Sequence, residues 1–244
     1  MNEKNLTVDD LAENETDAIT AYSKGLMGAI PVFGGLFAEV VGQIIPNQRI
    51  DRVTEFMKIL DGKFQELELD MEDVKSRMKR EEYINLFEDG MWQAAKASSR
   101  ERKEYIASLL SKSLTDEALN EIQQGVLLTL LNELNDIEVL ILYSYSMIAR
   151  SNQEFQQEHQ EKLIGPVAFL GSGTETINQS AIHKTYKEKL LRLGMLEREF
   201  VKPKRGELPE FDEKTGMMKE RSVSLSSLGR IFLRYIGYLG DKDY

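Results

Sequence analysis

Apolar residues recur at steps of three and four along most of this 244-residue chain, a periodicity that predicts a mainly α-helical fold. The clearest run lies between residues 48 and 80 and predicts one amphipathic helix of roughly 30 residues, about 45–50 Å long. Its apolar positions are Ile50, Val53, Phe56, Met57, Leu60, Phe64, Leu67, Met71, Val74 and Met78. We expect this long helix to belong to an N-terminal helical bundle.

Further helices are predicted up to residue 149 from the same periodicity and from capping residues. The expected elements are 82–97, 100–112 after a Ser98 or Ser99 cap, 116–134 after a Thr115 cap, and 136–149. A polar, Gln-rich stretch at 151–163 is expected to form either a helix or a loop.

The chemistry-bearing residues are few. The chain has no Cys and two His, His159 and His183, which leaves little material for a disulfide framework, a metal cluster or a Ser-His-Asp triad. It also lacks a G-x-x-x-x-G-K-[ST] phosphate loop. We therefore predict no catalytic, cofactor-binding or metal-binding residues, no cofactor, no small-molecule substrate and a non-enzymatic function.

The charge is spread unevenly along the chain. Residues 181–244 carry 14 Lys or Arg against 10 Asp or Glu, whereas residues 1–180 carry 17 against 31. This asymmetry predicts an acidic tail at 1–24, a helical domain at 25–165 and a second domain at 176–244. The acidic start does not resemble a signal peptide, so a cytoplasmic location is expected.

The second domain has the element order of a winged-helix-like module with a small β-hairpin. A helix at 176–193 precedes Gly194, two short strands are expected at 195–201 and 221–225, and Ser226 or Ser227 begins a last helix at 228–239. The predicted apolar stripe of the first helix includes Ile177, Ile182 and Tyr186. The predicted core residues are Leu190, Leu193, Leu196, Val223, Leu225, Phe232 and Ile236.

Basic residues of this module are the candidates for nucleic-acid contact. They are Lys184, Lys187 and Arg192 on the helix, and Lys202, Lys204 and Arg205 in the loop after the first strand. Such residues can neutralise phosphates. Acidic residues are interleaved with them, however, and this pattern favours a protein-interaction surface over DNA binding.

The segment from Gly25 to Pro46 is the most apolar part of the chain, with five Gly and a single charge at Glu39. On a helix, Gly34, Ala38 and Gly42 would form one small-residue face, as in close helix packing, with Phe33 and Phe37 on other faces. Three interpretations stay open. The segment spans a membrane; it inserts conditionally or associates with copies of itself; or it is a core helix against residues 48–80.

Four features together resemble the abortive-infection alpha (Abi-alpha) family of bacterial and prophage proteins. They are the segment IPVFGGLFAEVVGQIIP, the long amphipathic helix, the block LFEDGMWQAAKASSRERKEYIASLL and the winged-helix-like end. The resemblance implies defence against phage by damaging action at the membrane. Our first hypothesis is thus a non-enzymatic anti-phage protein whose apolar helix becomes exposed to a membrane or to another copy.

Two alternatives follow from the residues. One is a winged-helix DNA-binding regulator acting through residues 181–235, and the other is an oligomeric adaptor that associates through the long helix. The expected partners are accordingly a second copy of the chain, a membrane, and DNA as a less favoured option. A cytoplasmic protein peripheral to the inner membrane fits the first hypothesis.

Overall fold

The computed structural model describes residues 49–66, 76–77, 79–116, 119–206, 208–213, 216–240 and 243. These residues form ten helices and one two-stranded antiparallel sheet near the C-terminus, which confirms the predicted mainly α-helical fold. They fall into two compact units, divided between Thr129 and Leu130. The acidic tail and the apolar segment, with Phe33, Gly34, Phe37, Ala38 and Gly42, lie outside the described residues.

The first unit is built around three mutually packed helices. They are α1 (Ile50–Gln65), α2 (Glu81–Lys96) and α3 (Arg100–Thr115). The predicted stripe of α1 is buried at Val53, Phe56, Met57 and Leu60, because these positions face the other two helices. The prediction of a helical bundle is confirmed.

A small residue lets α2 and α3 approach closely. A β-carbon at Gly90 would lie 2.8 Å from Cδ1 of Leu110, closer than such carbons normally come. Two turns earlier in α2, the buried Tyr83 hydroxyl donates to the Leu110 carbonyl at 3.2 Å. Burial raises the pKa of the Tyr83 phenol, so this hydroxyl keeps its proton.

Several helix ends in the structure differ from those predicted from the sequence. α1 ends at Gln65, and most of its predicted extension lies outside the described part of the chain. Ser99 caps α3, as predicted, by accepting from the Arg102 N–H. The Thr115 prediction is wrong: Thr115 is the last residue of α3, and its hydroxyl donates back to the Lys112 carbonyl.

The next helix is α4 (Glu121–Glu133), which begins five residues later than predicted. Asn120 precedes it, and its side chain accepts from the Gln123 N–H at 2.9 Å while Gln123 accepts from the Asn120 N–H. This reciprocal pair is a capping box. The Asn120–Gln123 capping box therefore begins the helix for which the sequence predicted a Thr115 cap.

In the second unit, the helix predicted at 136–149 is two helices. α5 (Asp136–Ser144) begins with a capping box between Asn135 and Glu138, and α6 (Met147–Ser151) begins at a Ser146 cap. The interruption arises because the Ser146 side chain accepts from the Ala149 N–H. The Gln-rich stretch forms two short helices, α7 (Gln153–Glu158) and α8 (Gln160–Ile164).

The C-terminal elements follow the predicted order. They are α9 (Thr174–Arg192), β1 (Leu196–Phe200), β2 (Glu220–Leu225) and α10 (Ser227–Tyr235). The strands pair antiparallel, with Leu196 opposite Leu225. Gly194 adopts φ +72°, the left-handed conformation expected after a helix, and Ser226 caps α10 by accepting from the Gly229 N–H.

Six of the seven predicted core residues of this module are buried, and Leu193 is half-buried. The predicted stripe of α9 is wrong in its first half, since Ile177 and Ile182 are exposed. Ser180 is buried there instead. The buried face of α9 therefore runs through Ser180 and Leu190, and the two isoleucines lie to either side of it.

Candidate phosphate-contacting surface of the C-terminal unit

Helix α9 carries three of the predicted cations, and another cation of this helix, Lys189, fixes its position. The Lys189 ammonium lies 2.8 Å from a carboxylate oxygen of Glu138, whose side chain is almost fully buried. The same ammonium donates to the Glu133 carbonyl at 2.5 Å, close to the C-terminal end of α4. This contact satisfies the buried carboxylate and holds α9 beside α5.

A four-membered ion-pair network joins α9 to the hairpin. Arg198 of β1 donates to both carboxylate oxygens of Glu188, at 2.8 and 2.6 Å. It also lies 3.1 Å from Glu220 of β2, which is 3.9 Å from Lys187. Two cations and two anions therefore cancel within the Arg198 network, defined by Lys187, Glu188, Arg198 and Glu220.

Other carboxylates of the hairpin are also engaged within it. Glu210 lies 2.8 Å from Lys219, and this hydrogen bond raises the pKa of the Lys219 ammonium. Glu199 accepts from the Ser222 hydroxyl at 2.9 Å. Hydrogen bonds from Ser222 and Ser224 lower the pKa of Glu199, so this carboxylate stays ionised.

The six predicted cations are placed in two groups. Lys184 and Arg192 are exposed on α9, and Lys202, Lys204 and Arg205 are exposed in the loop after β1. Lys187 differs, because it is half-buried and belongs to the Arg198 network. Within the described ranges, no ion pair engages the other five. Glu197 and Glu213 likewise keep exposed carboxylates without an ion pair to described residues.

The positions on α9 allow Lys184 and Arg192 to act on the same target. They are eight residues apart, which is about 12 Å along the axis and about 80° around it for a regular helix. Glu188 lies between them in sequence and is held by Arg198. The exposed side of α9 thus presents two cations flanking a carboxylate that is already neutralised.

A cleft opens beside this surface, lined by residues of α5, α6, α8 and α9 and the turn between α5 and α6. We call it the Arg150 cleft; its volume is about 380 Å³. Its lining residues are Ile141, Ser144, Tyr145, Arg150, Leu163, His183, Lys184 and Lys187. Three of these are cations, and no carboxylate belongs to this lining.

Arg150 and Tyr145 were not singled out from the sequence. The Arg150 guanidinium lies over the Tyr145 ring, 5.6 Å from its centroid, in a cation–π contact. Arg150 occupies the last turn of the short α6. Its proximity to Lys184 depends on the break between α5 and α6, which the helical periodicity did not reveal.

His183 is one of the residues that line the cleft. Its Nε2 lies 2.9 Å from the Lys162 carbonyl, and because a carbonyl only accepts, Nε2 carries the proton of this bond. Gly165 lies against the imidazole ring, and a β-carbon there would collide with it. Gly165 has φ +68° and ψ 173°, a backbone conformation that is essentially restricted to glycine.

In comparisons with known proteins, no family model, curated protein or solved structure matches this chain. The resemblance to the Abi-alpha family therefore stays a prediction from the sequence. None of the described helices combines the length and the apolar character needed to cross a membrane.

Proposed function

We propose that the second unit is a winged-helix-like nucleic-acid-binding module that contacts the phosphates of duplex DNA through α9 and the loop after β1. One observation carries the proposal. Five exposed cations have no ion pair among the described residues, whereas three of the interleaved carboxylates, Glu188, Glu210 and Glu220, are ion-paired inside the second unit. The five cations are Lys184, Arg192, Lys202, Lys204 and Arg205.

The ion pairs inside the second unit change the balance of charge that the interleaved sequence suggested. Interleaved Glu residues count against DNA binding when each repels a phosphate. Glu188, Glu210 and Glu220 instead lie within 3.1 Å of cations, so their fields are largely cancelled at the distance of a ligand. The five remaining cations would release counterions on contact with a phosphate backbone.

The net charge of −10 does not oppose this local surface. The excess of acidic residues lies within residues 1–180, and residues 181–244 have a net charge of +4. Exposed charges further apart than about 8–10 Å are largely screened at physiological salt. A basic surface on one unit of an acidic chain can therefore bind a polyanion.

The proposal is tested by titrating the full chain into fluorescently labelled duplex DNA at low salt and following anisotropy. We expect Lys184→Gln, Arg192→Gln and Lys204→Gln each to weaken binding on every duplex sequence, because phosphate contacts carry no sequence information. The double variant Glu210→Gln/Lys219→Gln is the matched control, since it removes an exposed ion pair of the same unit and leaves the net charge unchanged. Equal losses in the control and the three variants would argue against a specific surface.

The apolar segment 25–46 supports a second proposal, which rests on the sequence and on the resemblance. In it, the chain is a non-enzymatic anti-phage protein whose segment enters a membrane or associates with another copy on activation. A liposome-leakage assay comparing the parent with Gly34→Leu and Gly42→Leu tests it. We expect the variants to leak less, and no leakage by the parent under any condition would remove the membrane version.

The adaptor hypothesis receives less support. It depends on an exposed stripe along the long helix, and the stripe of α1 is buried against α2 and α3 at Val53, Phe56 and Leu60. Light scattering at high protein concentration tests it directly. A strict monomer would count against the adaptor.

A further inference from the structure

We propose that the Arg150 cleft is a binding site for a phosphate group. This inference goes beyond the proposed function, because Arg150, Tyr145 and Lys187 are not among the residues assigned to DNA; Lys184 is the one residue that both proposals use. It also requires no DNA. The argument rests on the charge of the lining, the donors that it presents and its size.

The charge of the lining is unbalanced. Arg150, Lys184 and Lys187 line one cleft, and no carboxylate is among the described residues that line it. Lys187 is partly offset by Glu220, at 3.9 Å, which also holds Arg198 at 3.1 Å, whereas Arg150 and Lys184 have no ion pair among the described residues. Like charges that share a site repel each other, and an anion bound between them relieves this repulsion.

The donors are held in place by contacts with neighbouring side chains. The cation–π contact with Tyr145 positions the flat Arg150 guanidinium and leaves its N–H groups, which lie in the plane of the guanidinium, able to donate. Lys187 is positioned by Glu220, and α9 as a whole is positioned by the Lys189–Glu138 pair. An Arg with two Lys is a combination suited to phosphate, since Arg bonds two oxygens and Lys acts as a point charge.

Two other polar side chains of the lining are already engaged in hydrogen bonds. The Ser144 hydroxyl already donates to the Ile141 carbonyl at 2.6 Å, so it has no proton to offer an anion. His183 Nε2 is likewise engaged by the Lys162 carbonyl, which leaves Nδ1 as its second ring nitrogen. We therefore assign phosphate contact to Arg150, Lys184 and Lys187, with the Tyr145 hydroxyl as a fourth donor.

The size of the cleft indicates what the phosphate is attached to. At about 380 Å³ the cleft is larger than a phosphate ion and lies in the range of small-ligand sites. Leu163 and the buried Ile141 supply apolar wall. The shared chemistry is thus a phosphate group on an organic body, which is either a small phosphorylated molecule or one backbone phosphate of a nucleic acid.

The test is isothermal titration calorimetry on the full chain, with inorganic phosphate and pyrophosphate as probes and ionic strength held constant with chloride. We expect saturable binding to one site. Arg150→Gln and Lys187→Gln should each weaken it at least tenfold, the order expected for loss of a charge-assisted hydrogen bond. Arg192→Gln is the control, because Arg192 is exposed on the same helix but does not line the cleft.

Measuring both phosphate and DNA binding distinguishes a small phosphorylated ligand from a backbone phosphate of nucleic acid. The same measurements distinguish failure of the cleft proposal from failure of the DNA proposal. If Arg150→Gln also weakens DNA binding, the cleft seats a backbone phosphate; if DNA affinity is unchanged, it serves a small phosphorylated ligand. If the chain binds phosphate but does not bind DNA, the DNA proposal is contradicted and the cleft proposal is supported. Absence of saturable binding to both probes, or equal binding by the parent and Arg150→Gln, would overturn it. Circular dichroism of each variant checks that it is folded.

Discussion

The backbone carbonyl of Met195 lies against Gly229, so closely that a β-carbon at position 229 would collide with it. The same carbonyl accepts from the Ser226 N–H at 3.1 Å, and the Ser226 hydroxyl donates to the Gly194 carbonyl at 2.6 Å. Two stretches of the chain, Leu193–Leu196 and Leu225–Arg230, therefore pack against each other in one contact. It fixes the start of β1 against the start of α10, and so fixes the hairpin that carries Arg198.

This contact predicts that Gly229→Ala destabilises the second unit. The colliding atom is backbone and cannot rotate away, so we expect a loss of about 1–3 kcal/mol, the usual range for overpacking. Thermal unfolding followed by circular dichroism measures it. Gly125→Ala is the matched control, because Gly125 also lies inside a helix and nothing lies within 4 Å of a β-carbon there. A control that loses as much stability as Gly229→Ala would contradict the explanation.

Two helical glycines of the first unit predict opposite effects for the same substitution. Gly62 lies inside α1 with nothing within 4 Å of an added β-carbon, so Gly62→Ala should stabilise by about 0.5–1 kcal/mol through helix propensity. Gly90→Ala should destabilise, because Leu110 is fully buried and must shift. Urea unfolding of both variants checks the signs. Equal effects from the two substitutions would show that the Gly90 contact is not tight.

The Glu55–Lys103 pair predicts a dependence of stability on pH. Lys103 is 4% exposed, and its ammonium donates to Glu55. This hydrogen bond holds the pKa of Glu55 below its ordinary value. A carboxylate with a lowered folded pKa contributes stability that is fully present above its unfolded pKa, about 4.3, and is lost as the pH falls through the folded value.

We therefore expect Glu55→Gln to be less stable than the parent at pH 7, with the difference shrinking below about pH 4. Denaturant unfolding at pH 7 and pH 3 measures this. The double variant Glu55→Gln/Lys103→Met is the control: it removes the unpaired buried ammonium and should recover stability at pH 7. An unchanged difference between parent and Glu55→Gln at both pH values would contradict the assignment.

The elements that were predicted correctly have strong local signals. Ser99 and Ser226 are typical helix caps, and Gly194 is a typical residue after a helix end. The hairpin strands begin and end close to the expected residues because apolar and polar residues alternate there. Local chemistry therefore predicted the order of the C-terminal elements well.

The incorrect predictions concern residues whose local sequence pattern is compatible with more than one structure. Thr115 has the side chain of an N-cap, but its hydroxyl bonds the preceding turn, and the Asn120–Gln123 box begins the next helix instead. Ile177 and Ile182 fit a helical stripe, yet tertiary packing buries the face of Ser180 and Leu190.

The candidate site was predicted only in part, for the same reason. Lys184 and Lys187 were found from the sequence, but Arg150 was not, since it reaches the cleft only through the break at Ser146. The pairing of Glu188 and Glu220 with Arg198 was likewise not predicted, because it joins residues 10 and 22 positions apart through the fold.

The most direct test of the proposed function is the salt dependence of duplex DNA binding by the full chain. If all five exposed cations contact phosphates, the slope of log K against log salt concentration should be about −4 to −5, at roughly −0.9 per contact. Arg192→Gln should reduce its magnitude by about one, whereas the double variant Glu210→Gln/Lys219→Gln should leave it unchanged. Absence of binding at low salt, or a slope near zero that none of the substitutions alters, would contradict the account.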